Sequence, residues 1–115
     1  MLNTIASFSE FEKKILKTAH PKLLVFSASW SDKSQKLESA IETLIPVYKK
    51  YIEFFKIDID KVPEIAEKYK LSSLPALMIV SEGQVEDFTL RFATKEMVVG
   101  IMEGFFARKG KKFIF

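Results

Sequence analysis

Residues 22–34 read Lys-Leu-Leu-Val-Phe-Ser-Ala-Ser-Trp-Ser-Asp-Lys-Ser. Lys22 to Ala28 is a short, nearly continuous apolar run, the pattern of a parallel strand covered on both faces. A serine such as Ser31 suits the cap of a helix, because its side-chain oxygen accepts a backbone N–H from the first turn. Beyond it Leu37, Ala40, Ile41, Leu44, Val47, Tyr48 and Tyr51 recur at helical spacing, with Pro46 expected to kink the helix late in its course. A buried strand running straight into a long amphipathic helix is the opening of a crossover unit.

Working outward, Phe8, Phe11, Ile15 and Leu16 fall on one helical face upstream, and Ser7 with Glu10, or Ser9 with Glu12, fits a capping box at its start. Residues 2–6 suit a short edge strand, and His20-Pro21 ends the helix. Downstream, residues 52–59 form a second core strand, and Asp60 and Pro63 open a helix carrying Ile65, Ala66 and Tyr69. Residues 76–80 are a further apolar strand. Ser81-Glu82-Gly83-Gln84 is a turn, and residues 85–92 return as its hairpin partner. Thr94 caps a last helix holding Val98, Ile101, Met102, Phe105 and Phe106. The order is β-α-β-α-β-α-β-β-α. Crossover helices imply parallel pairs and the Gly83 turn an antiparallel pair at one edge, so the expectation is an α/β fold with a mixed sheet between helical layers. Gly100 and Gly104, four apart on the last helix, suggest close packing of that helix on the sheet.

The chain of 115 residues has the size of one domain, and eleven Phe among 48% hydrophobic residues predict an aromatic-rich core. A net charge of +3 is too small to argue for nucleic acid. The complete lack of cysteine excludes disulfides, thiolate metal sites and cysteine nucleophiles. Residues 1–5 show no basic stretch followed by an apolar run, and no segment is apolar enough to span a bilayer. A cytoplasmic protein without membrane or nucleic-acid partners, monomeric or weakly dimeric, is expected.

From Phe8 to Phe106 this order and its punctuation resemble the thioredoxin family. The most specific element is the segment 24–34, where the family has an apolar strand and then Ala-x-Trp-Cys-Gly-Pro-Cys at a helix start. Here Ala28, Trp30 and the spacing are kept, Ser31 and Ser34 replace both cysteines, and Asp32 and Lys33 replace Gly-Pro. Lys56-Ile57-Asp58-Ile59-Asp60 looks like the family's strand before its third helix, and Ser73-Leu74-Pro75-Ala76 like the loop whose proline is cis and faces the active site. The resemblance implies the thioredoxin fold, three layers α/β/α with a central mixed sheet of about five strands and four helices, over residues 1–107, with 108–115 as a basic and apolar tail. Two departures bear on chemistry. The family's buried acid maps onto Val25, and the helix proline after the motif is replaced by Ser39.

Thiol–disulfide exchange requires a thiolate, stabilised at a helix N-terminus, and a second thiol to resolve the mixed disulfide. Serine hydroxyls cannot form the sulfur–sulfur intermediate, so the resemblance implies a redox-inactive protein, not an enzyme of that type. It needs no cofactor and binds a polypeptide, as an adaptor, in a groove formed by Trp30, Ser31, Asp32, Lys33 and Ser34 on one side and Ser73, Leu74 and Pro75 on the other. Ser31 and Ser34 also read simply as helix-cap and solvated hydroxyls, Trp30 as an aromatic lid, and Asp32 and Lys33 as ordinary surface. Two alternatives stay open. One is an oxidoreductase whose cysteines were exchanged for serine by engineering. The other is a Ser31-based glutathione-binding protein, which would need a base or an anion-binding cluster near Ser31, for which the sequence offers only Lys33 and Lys56; His20 lies at the far end of the strand.

Overall fold

The computed structural model describes residues 2–90 and 94–110. Its element order is β1 (Asn3–Ile5), α1 (Phe8–Phe11) running into a π-helical turn (Glu12–Leu16), β2 (Lys22–Ser27), α2 (Asp32–Tyr48), β3 (Glu53–Asp58), α3 (Pro63–Tyr69), β4 (Ala76–Ser81), β5 (Gln84–Thr89) and α4 (Lys95–Arg108). The five strands form one mixed sheet in the order β1-β3-β2-β4-β5. The last two residues of the expected return strand, Arg91 and Phe92, and the tail from Lys111 lie outside the described residues.

β2 is central, and its alternation feeds both faces. Leu23 and Val25 join Leu37, Ile41, Leu44, Val98, Met102 and Phe105 beneath α2 and α4. Leu24 and Phe26 join Phe11, Ile15, Val62 and Ile65 beneath α1 and α3. The second face is strongly aromatic, with Tyr69 packed on Phe11 and Phe26 at ring-centre separations of 6.0 and 6.3 Å.

Local signals account for the element ends. Ser7 Oγ accepts from Glu10 N–H at 3.1 Å while the Glu10 carboxylate accepts from Ala6 N–H at 2.8 Å, a capping box reaching one residue further back than usual. The helix then widens, Lys17 N–H donating to Glu12 O at 3.0 Å, five residues back. Thr94 Oγ1 caps α4 through Met97 N–H. Glu82 and Gly83, at φ 54° and 75°, make the two-residue hairpin turn. A side chain at Gly83 would also meet Leu16 O at 2.9 Å, so glycine is required there on two counts.

Three expectations need correction, and two points gain detail. β3 and β4 are joined through a helix, yet β4 runs antiparallel to β2, Phe26 opposite Ala76 and Lys22 opposite Val80. α3 and its flanking loops stay near the end of the sheet where β3 finished, and β4 starts from that end, Ala76 opposite Phe26 and Phe26 opposite Ile57. The buried stripe of α2 is Leu37, Ile41, Leu44, Ile45 and Tyr48, whereas Val47 and Tyr51 are 49% and 46% exposed. Pro46 lies in the last turn of α2, which continues to Tyr48. Gly100 has no atom within 4 Å of where a side chain would begin, and Gly104 only the Arg108 guanidinium at 3.8 Å, so neither marks close packing. Lys22, counted with an apolar strand, is itself buried, its Nζ donating to Thr18 O at 2.6 Å.

Candidate functional site

The end of β2 and the start of α2 are joined by a tight connection. Ser31 N–H donates to Ala28 O at 3.1 Å, and Gln35 Nε2 reaches the same carbonyl at 3.2 Å. Ser31 has extended backbone (φ −99°, ψ 109°) and is the cap of α2, its Oγ accepting from Ser34 N–H at 3.2 Å. One lone-pair direction of that hydroxyl is therefore used to begin the helix. Asp32 follows in the first turn, where a negative charge complements the helix dipole, and Lys33 is exposed beside it.

Ser34, the second motif position, differs in kind. Its side chain is buried against the sheet, and Ser34 Oγ has no hydrogen-bond partner among the described residues. A buried hydroxyl without a partner is costly, whereas a thiol, a weak donor and weak acceptor, loses little in the same place. The burial at this position would suit sulfur better than the hydroxyl that occupies it.

Trp30 is 68% exposed, yet its ring is held: Nε1–H donates to Asp60 Oδ2 at 2.8 Å. Asp60 is positioned in turn by its own N–H on Asp58 Oδ1 at 2.8 Å, just past the end of β3. The Pro75 loop reaches the same end of the sheet, because Ala76 is the register partner of Phe26. The Leu74–Pro75 peptide bond is cis and Pro75 is buried. Ser73 Oγ donates to Leu90 O, fastening the loop to the end of β5. No backbone hydrogen bond of Ser73 or Leu74 to another described residue is present. The topology thus brings both halves of the expected groove, residues 30–34 and 73–75, to one end of β2 and β4.

Val25 stands fully buried where the family's acid is expected. Sequence reading missed that α2 supplies a carboxylate nearby. Glu38, one turn beyond Ser34 and 9% exposed, binds Lys56 Nζ at 3.2 Å, and Lys56 is the register partner of Val25 on β3. The only available signal was the four-residue step from Ser34 to Glu38. This pair borders a polar cleft of about 300 Å³ whose other lining includes Ser27, Ser29, Gln35 and Asp58. It lies on the α2–β3 side of the motif, and none of Trp30, Ser31 and Pro75 lines it.

Among the described residues no histidine, lysine or carboxylate side chain is hydrogen-bonded to Ser31 Oγ. His20 Nε2 lies 2.6 Å from Glu53 Oε1 at the start of β3, the opposite end of the parallel strands. Of the two lysines available to an anion-binding cluster, Lys56 is engaged by Glu38. No group of three or more His, Cys, Asp or Glu among the described residues is arranged to hold a metal, and no described helix is long and apolar enough to cross a membrane.

Comparison with known proteins agrees with this geometry. The thioredoxin family model matches residues 3–103. A thioredoxin of Rickettsia bellii is 29% identical over 89 residues, covering 77% of this chain and 85% of its own. A thioredoxin-like protein of Synechocystis sp. is 32% identical over 77 residues, covering 67% and 73%. The solved structure of Plasmodium falciparum thioredoxin superposes with a TM-score of 0.82 over 90% of this chain and 99% of that one, at 23% identity, a likeness of fold. A sheet of this order, a helix opening at Trp30-Ser31 opposite a cis-proline loop, and a match over residues 3–103 place the chain in the thioredoxin family, as a member with no cysteine.

Proposed function

We propose that this chain is a redox-inactive thioredoxin-like module that holds an extended polypeptide, as an adaptor, in the groove between residues 30–34 and 73–75. The observation that carries the reading is the contrast at the helix start. Neither motif position offers a sulfur atom, and Ser31 Oγ is engaged in capping, while Trp30 remains largely exposed and anchored by Asp60. A fixed, exposed indole gives a flat apolar contact at little entropic cost. The backbone groups of Ser73 and Leu74, which make no backbone hydrogen bond to another described residue, suit an extended segment adding alongside as a strand would. The contact area is small and no covalent bond traps the partner, so binding is weak to moderate and indifferent to reductant.

Trp30 is the sole tryptophan, so its emission reports directly on the groove. Titration with an unfolded polypeptide should give a saturable change in that emission, identical with and without dithiothreitol. In a pull-down, capture of the same polypeptide should fall in Trp30→Ala and Pro75→Ala variants that remain folded by circular dichroism. An absence of saturable change, or capture unaffected by both substitutions, would reject the groove as a binding site.

A further inference from the structure

We propose that the pole of the molecule opposite Ser31 is a second docking surface, one that takes an acidic, extended polypeptide segment. Lys22 and Glu53 begin the parallel strands β2 and β3, so this pole lies a strand length, roughly 20 Å, from the motif. Two clefts open there, of about 430 and 280 Å³, and both are lined by His20 and Glu53. The first adds Lys13 and Lys14, the second Lys49 and Lys50. Four lysines therefore flank a single carboxylate, and that carboxylate is occupied. Glu53 Oε1 meets His20 Nε2 at 2.6 Å, and Oε2 accepts from Asn3 Nδ2 at 3.4 Å.

Lys13, Lys49 and Lys50 are exposed and make no ion pair with a described residue, while Lys14 lies 3.4 Å from Glu10. Lys49 and Lys50 follow the carboxyl end of α2, and Lys13 and Lys14 lie in the last turn of the π-helical segment, so each pair complements its own helix end; the helices do not account for both pairs bordering clefts that share His20 and Glu53. Positive charge gathered at one pole, three of its four lysines without an ion pair to a described residue, is complementary to carboxylates from outside.

The form of the partner follows from what borders the lysines. Asn3 and Thr4 line the larger cleft and belong to β1, an edge strand whose one strand neighbour is β3. Its outward backbone groups pair with no described strand and suit a strand laid alongside. The smaller cleft is lined by Tyr51, 46% exposed, whose ring offers apolar contact to such a segment. A nucleic-acid strand fits less well. No arginine lines either cleft, and of the Phe and Tyr rings that do, Phe55 is buried and Tyr51 packs edge-on against Phe106 at 6.5 Å, so neither stands free for a base.

The test uses the full chain and a fluorescein-labelled poly-glutamate peptide followed by anisotropy, with a labelled single-stranded oligonucleotide in parallel. The peptide should bind at low ionic strength and weaken as salt is raised. The charge-reversing pair Lys49→Glu and Lys50→Glu should weaken binding by about tenfold or more. Lys36→Glu with Lys61→Glu, the same change in net charge placed elsewhere, should weaken it by less than about threefold. Equal loss in both pairs, or no binding at low salt, would overturn the proposal. Tighter binding of the oligonucleotide than of the peptide would overturn it too, and make the pole a nucleic-acid surface.

Discussion

From Lys22 to Ala28 every residue is buried, whereas from Ser29 to Lys33 none is, although the two stretches are adjacent in the chain. The first is held from both faces of the sheet by two separate apolar clusters, so almost any change there disturbs packing. The second is held by a few directed bonds: the Ser31 cap, the Trp30–Asp60 contact and the Gln35 contact to Ala28 O. A fold can therefore be preserved through the strand while the chemistry a turn further on is exchanged. Ser34 is where the regimes meet, a motif residue that the core has covered.

The largest expected effect lies in the strand. Phe26 is fully buried in the centre of the aromatic face, so Phe26→Ala should cost roughly 3–5 kcal/mol in denaturant unfolding. A loss under about 1 kcal/mol would erase the distinction between the two stretches.

At the junction the same substitution should have opposite signs at two positions. Ser31→Ala removes the helix cap and should cost about 1 kcal/mol. Ser34→Ala removes a buried hydroxyl that has no partner and should leave stability unchanged or raise it by about 1 kcal/mol. Paired unfolding curves measure both. Equal losses would mean that Ser34 Oγ is satisfied after all, and that both motif serines are structural in the same way.

The smallest effect sharpens the comparison through pH. Burial raises the Tyr69 phenol above its ordinary value of 10.0. The folded state thus favours the neutral ring, and this contribution is complete below pH 10 and is lost as pH rises through the folded value. Tyr69→Phe, which keeps the ring contacts with Phe11 and Phe26, should flatten the loss of stability on the alkaline side and leave the neutral region nearly unchanged. Tyr48, raised first by burial and then by Glu103, and Lys22, lowered by burial, titrate alike in both proteins and cancel in the comparison. Parallel alkaline profiles would place Tyr69 outside the aromatic core.

Much of this was legible in the sequence. β2, α2 and α4 announce themselves because apolar spacing reports which faces are buried, and Ser7, Ser31 and Thr94 mark helix starts by their local chemistry. The motif spacing located Trp30, Ser31 and Ser34, and the Pro75 loop was found from its own short pattern. Strand direction was not legible for β4, since periodicity carries no sense of direction and a connection of this length can return the chain from either end of the sheet. The Glu38–Lys56 pair, the partnerless Ser34 hydroxyl and the Thr18 acceptor for Lys22 were not legible either. Each depends on register between elements distant in sequence. The π-helical turn at Glu12–Leu16 has no signature in its residues at all.

The account's central claim is that the thioredoxin scaffold persists here while its redox site is gone. Insulin-disulfide reduction with dithiothreitol, run on the native chain and on the Ser31→Cys, Ser34→Cys double variant, tests it most directly. The native chain should give no rate above the uncatalysed control. The double variant should reduce insulin far more slowly than an ordinary thioredoxin, because Val25 supplies no proton acceptor, Glu38 is engaged by Lys56, and Asp32 places a negative charge beside the restored thiolate. Clear catalysis by the native chain, or a double variant that matches an ordinary thioredoxin, would contradict the claim.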